Sequence, residues 1–96
     1  MPNEVVDNPA ESRYEIRVDG ELAGFADYRL LPGKIIFTHT EVRPEHEGKG
    51  LAAALVSHAL RASKAAGQRV VPRCPYVKSY IERHPEFQDL VGEPTS

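Results

Sequence analysis

The sequence predicts a mixed α/β fold (α+β mixed), with an antiparallel meander followed by a strand-turn-helix-strand crossover and a second helix. Around Tyr14 to Val18, apolar and polar residues alternate with the period of a half-buried strand, and after Pro44 the apolar residues recur at helical spacing. At 96 residues, the chain is long enough for one domain with a modest core. We place this domain at residues 12–91 and expect loose tails at residues 1–11 and 92–96.

Three strands are predicted before Pro44. In the first, Tyr14, Ile16 and Val18 alternate with charged residues. Asp19-Gly20 follows, a dipeptide suited to the positive φ angles of a type I′ hairpin turn. The return strand, the next turn and the third strand are predicted at residues 22–30, Pro32-Gly33 and 34–42.

A long amphipathic helix is predicted from residue 48 to about residue 66. Its apolar side chains recur four positions apart, and Gly67 follows as a stop signal. A short strand at residues 69–73 comes next, and Pro75 begins a second helix that ends at His84-Pro85. Strand, helix and strand in this order imply a parallel pairing with a right-handed crossover.

Charge and composition argue against several function classes. The net charge of −2 disfavours a nucleic-acid binder, because phosphate backbones are met by basic surfaces. The single cysteine, Cys74, cannot form an internal disulfide and suits a reducing compartment. No apolar run approaches the roughly 20 residues that cross a bilayer, and the N-terminus shows no secretory pattern. We therefore expect a cytoplasmic protein without membrane contact. His46, His58 and His84 lack metal-ligand spacing, so no metal is expected.

The segment between the third strand and the long helix is the strongest functional signal. Gly48 and Gly50 let the backbone adopt unusual angles and approach a ligand closely. The first turn of a helix has unpaired N–H groups and the positive end of the helix dipole, so it attracts phosphate. Lys49 adds a mobile cation. The glycines alone fit a simple tight turn equally well, but their position before a strong helix favours an anion site.

The local pattern leaves the identity of the anion to context. A P-loop needs Ser or Thr after Gly-Lys, and here Gly50 and Leu51 follow Lys49. The segment from Gly48 to Ala53 does match the dinucleotide fingerprint Gly-x-Gly-x-x-Ala. That fingerprint belongs to the first βα unit of a parallel sheet, whereas antiparallel strands precede the turn here.

The order of meander, Gly-rich turn, long helix and short strand resembles the GNAT superfamily of N-acetyltransferases. Its signature is Gln/Arg-x-x-Gly-x-Gly/Ala, and Glu45 departs from it at the first position. Two further segments, Pro-Arg-Cys-Pro-Tyr-Val at residues 72–77 and Tyr-Ile-Glu-Arg-His-Pro-Glu-Phe at residues 80–87, resemble the short single-domain GNAT-like branch. The likeness spans about residues 14–91.

The resemblance implies acetyl-CoA as acyl donor, with CoA and an amine acceptor, small molecule or protein, as partners. It also implies that the end of the third strand lines the pantetheine arm and that the turn holds the pyrophosphate. The residues assigned to CoA in this way are Val42, Arg43, Glu47, Gly48, Lys49, Gly50, Leu51 and Ala52. We expect a monomer or a weak dimer.

Three residues are candidates for the chemistry. Cys74 is predicted at a helix N-terminus beside Arg73, which favours a thiolate and an acetyl-cysteine intermediate, although unpaired cysteines are commonly small buried hydrophobic residues. Tyr80 matches the region where the resembled enzymes place a general acid, or it is a packed aromatic. Glu41, with His39 on the same strand face, is a candidate general base or a solvent-facing residue.

The leading function is therefore an acetyl-CoA-dependent N-acetyltransferase that acts on a primary amine, for example a protein lysine. Direct transfer and an acetyl-cysteine route both stay open. A different class is a non-catalytic CoA-binding module that acts as a sensor or interaction domain, which Glu45 and the short chain keep open.

Overall fold

The computed structural model describes residues 3–92, which form a five-stranded sheet with strand order β1-β2-β3-β4-β5 and two α-helices. The predicted fold class is confirmed, and so is the chain order of strands and helices from residue 13 onward. The elements are β1 Asn3–Asn8, β2 Arg13–Val18, β3 Glu21–Leu31, β4 Lys34–Val42, α1 Leu51–Ala65, β5 Arg69–Pro72 and α2 Pro75–Arg83, with short 3-10 segments at Pro9–Glu11, Pro44–His46 and Pro85–Leu90.

The loose tail predicted at residues 1–11 is wrong for the part that the structure describes. Residues 3–8 form β1, which pairs antiparallel with β2 along its whole length. Its Asp7 carboxylate accepts a 2.6 Å hydrogen bond from the hydroxyl of Tyr28 two strands away. The backbone pairing and this hydrogen bond hold the segment in place, although its sequence shows no clear alternation of apolar and polar residues. Residues 1, 2 and 93–96, the rest of the predicted tails, lie outside the described residues, and Gly92 donates its N–H to the Val70 carbonyl.

The meander turns where the sequence predicts. Asp19 and Gly20 have φ angles of 53° and 83°, as a type I′ turn requires. The β2–β3 and β3–β4 pairings are antiparallel, and β5 pairs parallel to β4. The crossover through α1 thus gives the parallel pairing that the sequence predicts.

A β-bulge at Thr38 changes which face the end of β4 presents. Tyr28 pairs with Phe37 and Asp27 with His39, so Thr38 is an extra residue in β4. One extra residue moves every following side chain to the opposite face. Phe37 is buried in the core before the bulge, and Thr40 points to the same side after it, where its hydroxyl meets Cys74.

The two helices pack on one face of the sheet. Phe87 lies beside α1 and within 6.2 Å of the Tyr80 ring of α2, so the helices and the 85–90 segment form one layer. Sheet and helices share one hydrophobic core, and His58 is exposed on α1. The opposite face, here called the outer face, carries the side chains of Arg13, Glu15, Phe25, Asp27, His39 and Glu41, which follow from the strand register.

The sheet opens beyond Phe37. The pairing of β4 with β5 runs only from Lys34 opposite Arg69 to Phe37 opposite Pro72. The Phe37 carbonyl then accepts the N–H groups of both Arg73 and Cys74, at 3.0 and 2.9 Å, and the chain turns away into α2. Because β4 continues to Val42, a gap forms between residues 38–42 and the start of α2.

Candidate functional site

A pocket of about 210 Å³ lies where the end of β4, the Gly-rich turn and the starts of α1 and α2 meet. It contains most of the residues that the sequence assigns to CoA, while Arg43 and Lys49 are not among its lining residues. The lining residues are Val42, His46, Glu47, Gly48, Gly50, Leu51, Ala52, Ala53 and Tyr76.

The backbone of the turn explains its glycines. Gly48 and Gly50 have φ angles of 83° and 73°, in the left-handed region that favours glycine. A Cβ at either position would meet no atom within 4 Å, so the backbone angle and not the space requires glycine. Gly50 is the N-cap of α1, and its lack of a side chain leaves the first-turn N–H groups without a side-chain cap. The first turn of α1 also carries no acidic residue, so it suits an anion.

His46 is a pocket residue that the sequence analysis missed. Its side chain is buried, and neither ring nitrogen has a hydrogen-bond partner. The Glu21 carboxylate faces the ring, and its Oε1 lies 3.9 Å from Nε2. The spacing of the histidines in the sequence does not indicate this position, because it depends on the 3-10 segment at Pro44–His46, which turns the His46 side chain into the pocket.

Tyr76 is the second residue that the sequence analysis missed. It lies in the first turn of α2 and faces the turn before α1 across the pocket. Burial raises the pKa of its hydroxyl, with Arg83 opposing and Tyr80 adding to the effect. The one sequence feature that could have indicated Tyr76 is its position two residues after Cys74. Its place in the pocket depends on the crossover, which brings α2 beside the turn.

Tyr80, the predicted general acid, lies deeper in the helix layer. It is 7% exposed, and its ring stacks on His84 with centroids 3.8 Å apart and planes 13° apart. His84 Nδ1 lies 2.7 Å from the Tyr80 carbonyl oxygen and caps the end of α2. Tyr80 does not line the pocket, and Tyr76, 6.4 Å away between ring centroids, does.

Cys74 stands at the point where the sheet opens. It is the N-cap of α2, which confirms its predicted place at a helix N-terminus. The residue is only 3% exposed, and its Sγ donates to the Thr40 hydroxyl at 3.4 Å. The thiol is thus held inside the gap by β4.

Glu41 and His39 lie on one face of β4, as the sequence predicts. His39 Nε2 is 3.1 Å from Glu41 Oε1, and the side chains are 57% and 55% exposed. Both belong to the outer face, so they stand on the opposite side of β4 from Thr40 and Cys74. The two candidate groups therefore flank the gap from its two sides.

The backbone of β4 also presents groups to the gap. Arg43 donates its N–H to the Ala23 carbonyl at 2.8 Å, and bonding partners alternate along an antiparallel ladder. By this alternation, the N–H groups of Thr40 and Val42 point away from β3 and toward the gap. Gly24 permits the close approach of β3 at this level, since a Cβ there would lie 2.7 Å from the Glu41 carbonyl oxygen.

The charges of the outer face are distributed unevenly. Glu15, 2% exposed, accepts hydrogen bonds from Arg13 at 2.8 Å and Arg17 at 2.7 Å, so these two cations are engaged by one carboxylate. Burial of Glu15 is outweighed by the hydrogen bonds from Asn8 and the two arginines, which lower its pKa to about 2. Asp27 and Glu41 add carboxylates nearer the gap.

Within residues 3–92, no helix combines the length and the apolar character needed to cross a membrane. The same residues contain no group of three or more His, Cys, Asp or Glu arranged to hold a metal ion.

A family model described as GCN5-related N-acetyl-transferase matches residues 13–90 of the chain. Comparison with curated proteins gives no significant match.

Solved structures with the same fold include a GCN5-like protein from Staphylococcus aureus, determined by NMR. It has a TM-score of 0.70 and 19% identity, with 95% of this chain and 89% of that chain covered. The ribosomal-protein-S18-alanine N-acetyltransferase from Escherichia coli has a TM-score of 0.64 and 17% identity, with 74% and 49% covered. The ribosomal-protein-alanine N-acetyltransferase from Brucella melitensis has a TM-score of 0.57 and 23% identity, with 88% and 65% covered. The chain thus spans about half the length of the Escherichia coli enzyme, and at these identities the likeness extends to the fold alone.

Proposed function

The chain belongs to the GCN5-related N-acetyltransferase family, and from that premise we propose that it transfers the acetyl group of acetyl-CoA to a primary amine. The observation that carries the proposal is the pocket at the α1 N-terminus, which is also lined by Val42 at the end of β4 and by Tyr76 at the start of α2. One end fits an anion and the other end fits a narrow arm with a reactive group.

The pyrophosphate of CoA fits the turn at residues 47–52. Unpaired N–H groups at the start of α1 and the open left-handed glycines give it donors without side chains in the way. Leu51 and Ala52 lie in this first turn and line the pocket. Lys49, exposed in the turn, adds a cation at the pocket rim.

The pantetheine arm fits the gap between β4 and the start of α2. Amide-containing arms can bind by adding to an exposed strand edge, and the N–H groups of Thr40 and Val42 supply such an edge. The half-buried Val42 side chain provides apolar contact at the mouth of the gap. The thioester then lies near Thr40, where the sheet opens.

The acceptor amine reaches the thioester from the outer face, where Glu41 is exposed beside His39. An ammonium acceptor first loses one proton to solvent, and the neutral nitrogen then forms a C–N bond with the acetyl carbon as the C–S bond breaks. Glu41, directly or through one water, takes the proton that the nitrogen loses. The departing CoA thiolate takes a proton from the Tyr76 hydroxyl, which lines the pocket and is protonated at neutral pH. Each bond broken is thereby matched by one formed.

The outer face suits a large acceptor. Glu41 and His39 are more than half exposed on an open sheet surface, so a side chain projecting from another protein can approach them. Asp27 and Glu41 favour a cationic group, and the lysine side chain fits both requirements. We therefore propose a protein lysine as the acceptor.

An acetyl-cysteine route through Cys74 is the alternative chemistry. It needs the thiol to leave its hydrogen bond with Thr40 and to become accessible, because only 3% of the residue is exposed. Direct transfer needs neither change, and we favour it for that reason.

A non-catalytic CoA-binding module is the second candidate function. The observation in its favour is the acidic turn, where Glu45 replaces the Gln or Arg of the motif and Glu47 lines the pocket. The deciding experiment is calorimetric titration with acetyl-CoA, followed by mass spectrometry of lysine-containing peptides incubated with the protein. Binding with transfer supports the enzyme, binding without transfer supports the module, and no binding defeats both.

A further inference from the structure

His46 is the exception among the buried polar side chains of residues 3–92. Both of its ring nitrogens are covered by neighbouring atoms, and neither has a hydrogen-bond partner. A buried polar group without a partner loses its hydrogen bonds to water and gains none in the protein, so such a group requires a reason. His46 lines the pocket at the α1 N-terminus, where an anion is proposed to bind.

The charge of the pocket gives that reason. Its lining residues include the carboxylate of Glu47 but neither lysine nor arginine. The pyrophosphate of CoA is an anion, and the motif position that supplies Gln or Arg is Glu45 here. Among the lining residues, His46 alone can become a cation near neutral pH.

We infer that His46 binds the pyrophosphate of CoA as an imidazolium, donating one ring N–H to a phosphate oxygen and the other to the Glu21 carboxylate. The inference rests on the proposed CoA site. A neutral imidazole has one N–H, whereas the protonated ring has two and needs two acceptors. Glu21 Oε1, 3.9 Å from Nε2, is one acceptor, and the phosphate supplies the other to Nδ1.

The binding step requires a small movement. The ring turns to uncover Nδ1, and Glu21, whose side chain is 66% exposed, closes the remaining distance to Nε2. The proton comes from solvent, so CoA binding takes up a proton at a pH where the ring is neutral beforehand. The bound pyrophosphate stabilises the imidazolium, and the imidazolium strengthens binding of the pyrophosphate. Because the ring loses its proton as the pH rises, the affinity for CoA then falls.

The charged groups around His46 are mostly carboxylates. Glu21 faces it from the start of β3, and Glu45 and Glu47 flank it in its own segment. The first turn of α1 contributes no carboxylate, and α2 contributes the neutral hydroxyl of Tyr76. Arg43 and Lys49 are the nearby cations in sequence, both exposed.

Calorimetry in buffers of different ionisation enthalpy tests the inference. The ligand is 3′-dephospho-CoA, which keeps the pyrophosphate and has no 3′-phosphate to titrate. At pH 7.5, where a free imidazole is mostly neutral, we expect the protein to take up about 0.5–1 proton per ligand bound. His46→Gln takes up none and binds about tenfold more weakly. Pantetheine, which lacks the pyrophosphate, causes no uptake.

The matched control is His58→Gln, which removes an exposed histidine on α1 outside the pocket. It keeps the proton uptake and the affinity of the original chain. Equal uptake in the original chain and in His46→Gln would overturn the inference and leave the CoA site standing. No binding by the original chain would defeat the proposed function itself.

A second measurement covers the case in which His46→Gln does not fold. The ring nitrogen NMR shifts of His46 in the original chain report its protonation directly. We expect a change to the imidazolium pattern on saturation with 3′-dephospho-CoA at pH 7.5. A ring that stays neutral when the ligand is bound contradicts the inference.

Discussion

The backbone N–H of Cys74 donates to the Phe37 carbonyl at 2.9 Å. Among the described residues, this is the last backbone hydrogen bond between β4 and the chain that follows β5. The Arg73 N–H shares the same acceptor at 3.0 Å. Beyond this point the Cys74 side chain still reaches Thr40, but the backbones separate. One carbonyl therefore fixes where the sheet is closed and where the proposed pantetheine arm begins to fit.

Gly50→Ala tests the turn. Alanine in the left-handed region costs about 1 kcal/mol, and relief of that strain shifts the start of α1. We expect the dissociation constant for CoA, measured by calorimetry, to rise about tenfold, a loss of about 1.4 kcal/mol of binding free energy.

The control for that change is Gly33→Ala. Gly33 has the same φ of 73° and open space around its Cβ, but it lies in the β3–β4 hairpin. Its free energy of unfolding falls by a similar amount while CoA affinity is unchanged. An equal loss of affinity in both variants would show that the turn has no special role.

Glu41→Gln tests the proposed base. An amide cannot accept the proton, so kcat for acetyl transfer falls by about 10²-fold, the lower end of what general-base catalysis contributes. The dissociation constant for acetyl-CoA stays unchanged, because Glu41 lies on the outer face. Glu82→Gln, an exposed change on α2, is the control and keeps full activity. A Glu41→Gln variant with an unaltered rate contradicts the assignment.

Paired tyrosine variants separate the two candidate acids. Tyr76→Phe removes a hydroxyl from the pocket and lowers kcat by about tenfold or more. Tyr80→Phe keeps the ring that stacks on His84 and leaves kcat nearly unchanged. Steady-state kinetics on both variants decide between them, and the reverse order would restore Tyr80 as the acid.

Cys74→Ala distinguishes direct transfer from an acetyl-cysteine route. Under direct transfer we expect kcat within a few-fold of the original, with a loss of stability of about 1 kcal/mol from the lost buried sulfur. Intact-mass spectrometry after incubation with acetyl-CoA should show no acetyl group on Cys74. Loss of turnover together with an acetylated Cys74 in the original chain would establish the covalent route instead.

The ionised Glu15 is expected to make the free energy of unfolding sensitive to acid. Its pKa is about 2 in the folded protein, below the ordinary value of 4.5, so its contribution is full above about pH 4.5 and is lost as the pH falls toward 2. Between pH 7 and pH 3 the loss from this group is at most about 2 kcal/mol, since the arginines that bond it are partly exposed. Urea denaturation at the two pH values measures it, and Glu15→Gln should show a smaller difference.

The sequence predicted the elements whose signals are local. Alternation revealed β2, Asp19-Gly20 revealed its turn, and the period of α1 revealed a helix face that the structure buries. The Gly-rich turn was predicted correctly as the start of α1, because a glycine pair before a helical period has few other uses.

The missed features depend on relations between distant segments. The strand β1 has no alternation of its own, and its order comes from pairing with β2 and from the bond between Asp7 and Tyr28. His46 and Tyr76 line the same pocket only because the crossover brings α2 beside the turn. A period of two cannot reveal the extra residue Thr38, since a bulge is defined by its partner strand.

That extra residue reverses the parity of β4. Before it, core-facing side chains stand at odd positions such as Phe37, and after it they stand at even positions such as Thr40. A chain without Thr38 would keep the pairs Tyr28–Phe37 and Asp27–His39 on a regular ladder, so Thr40 and Glu41 would keep their faces and only the local bend of the bulge would be lost. The faces of β4 are thus set by its partners on β3, and the bulge absorbs the one residue that β3 does not match.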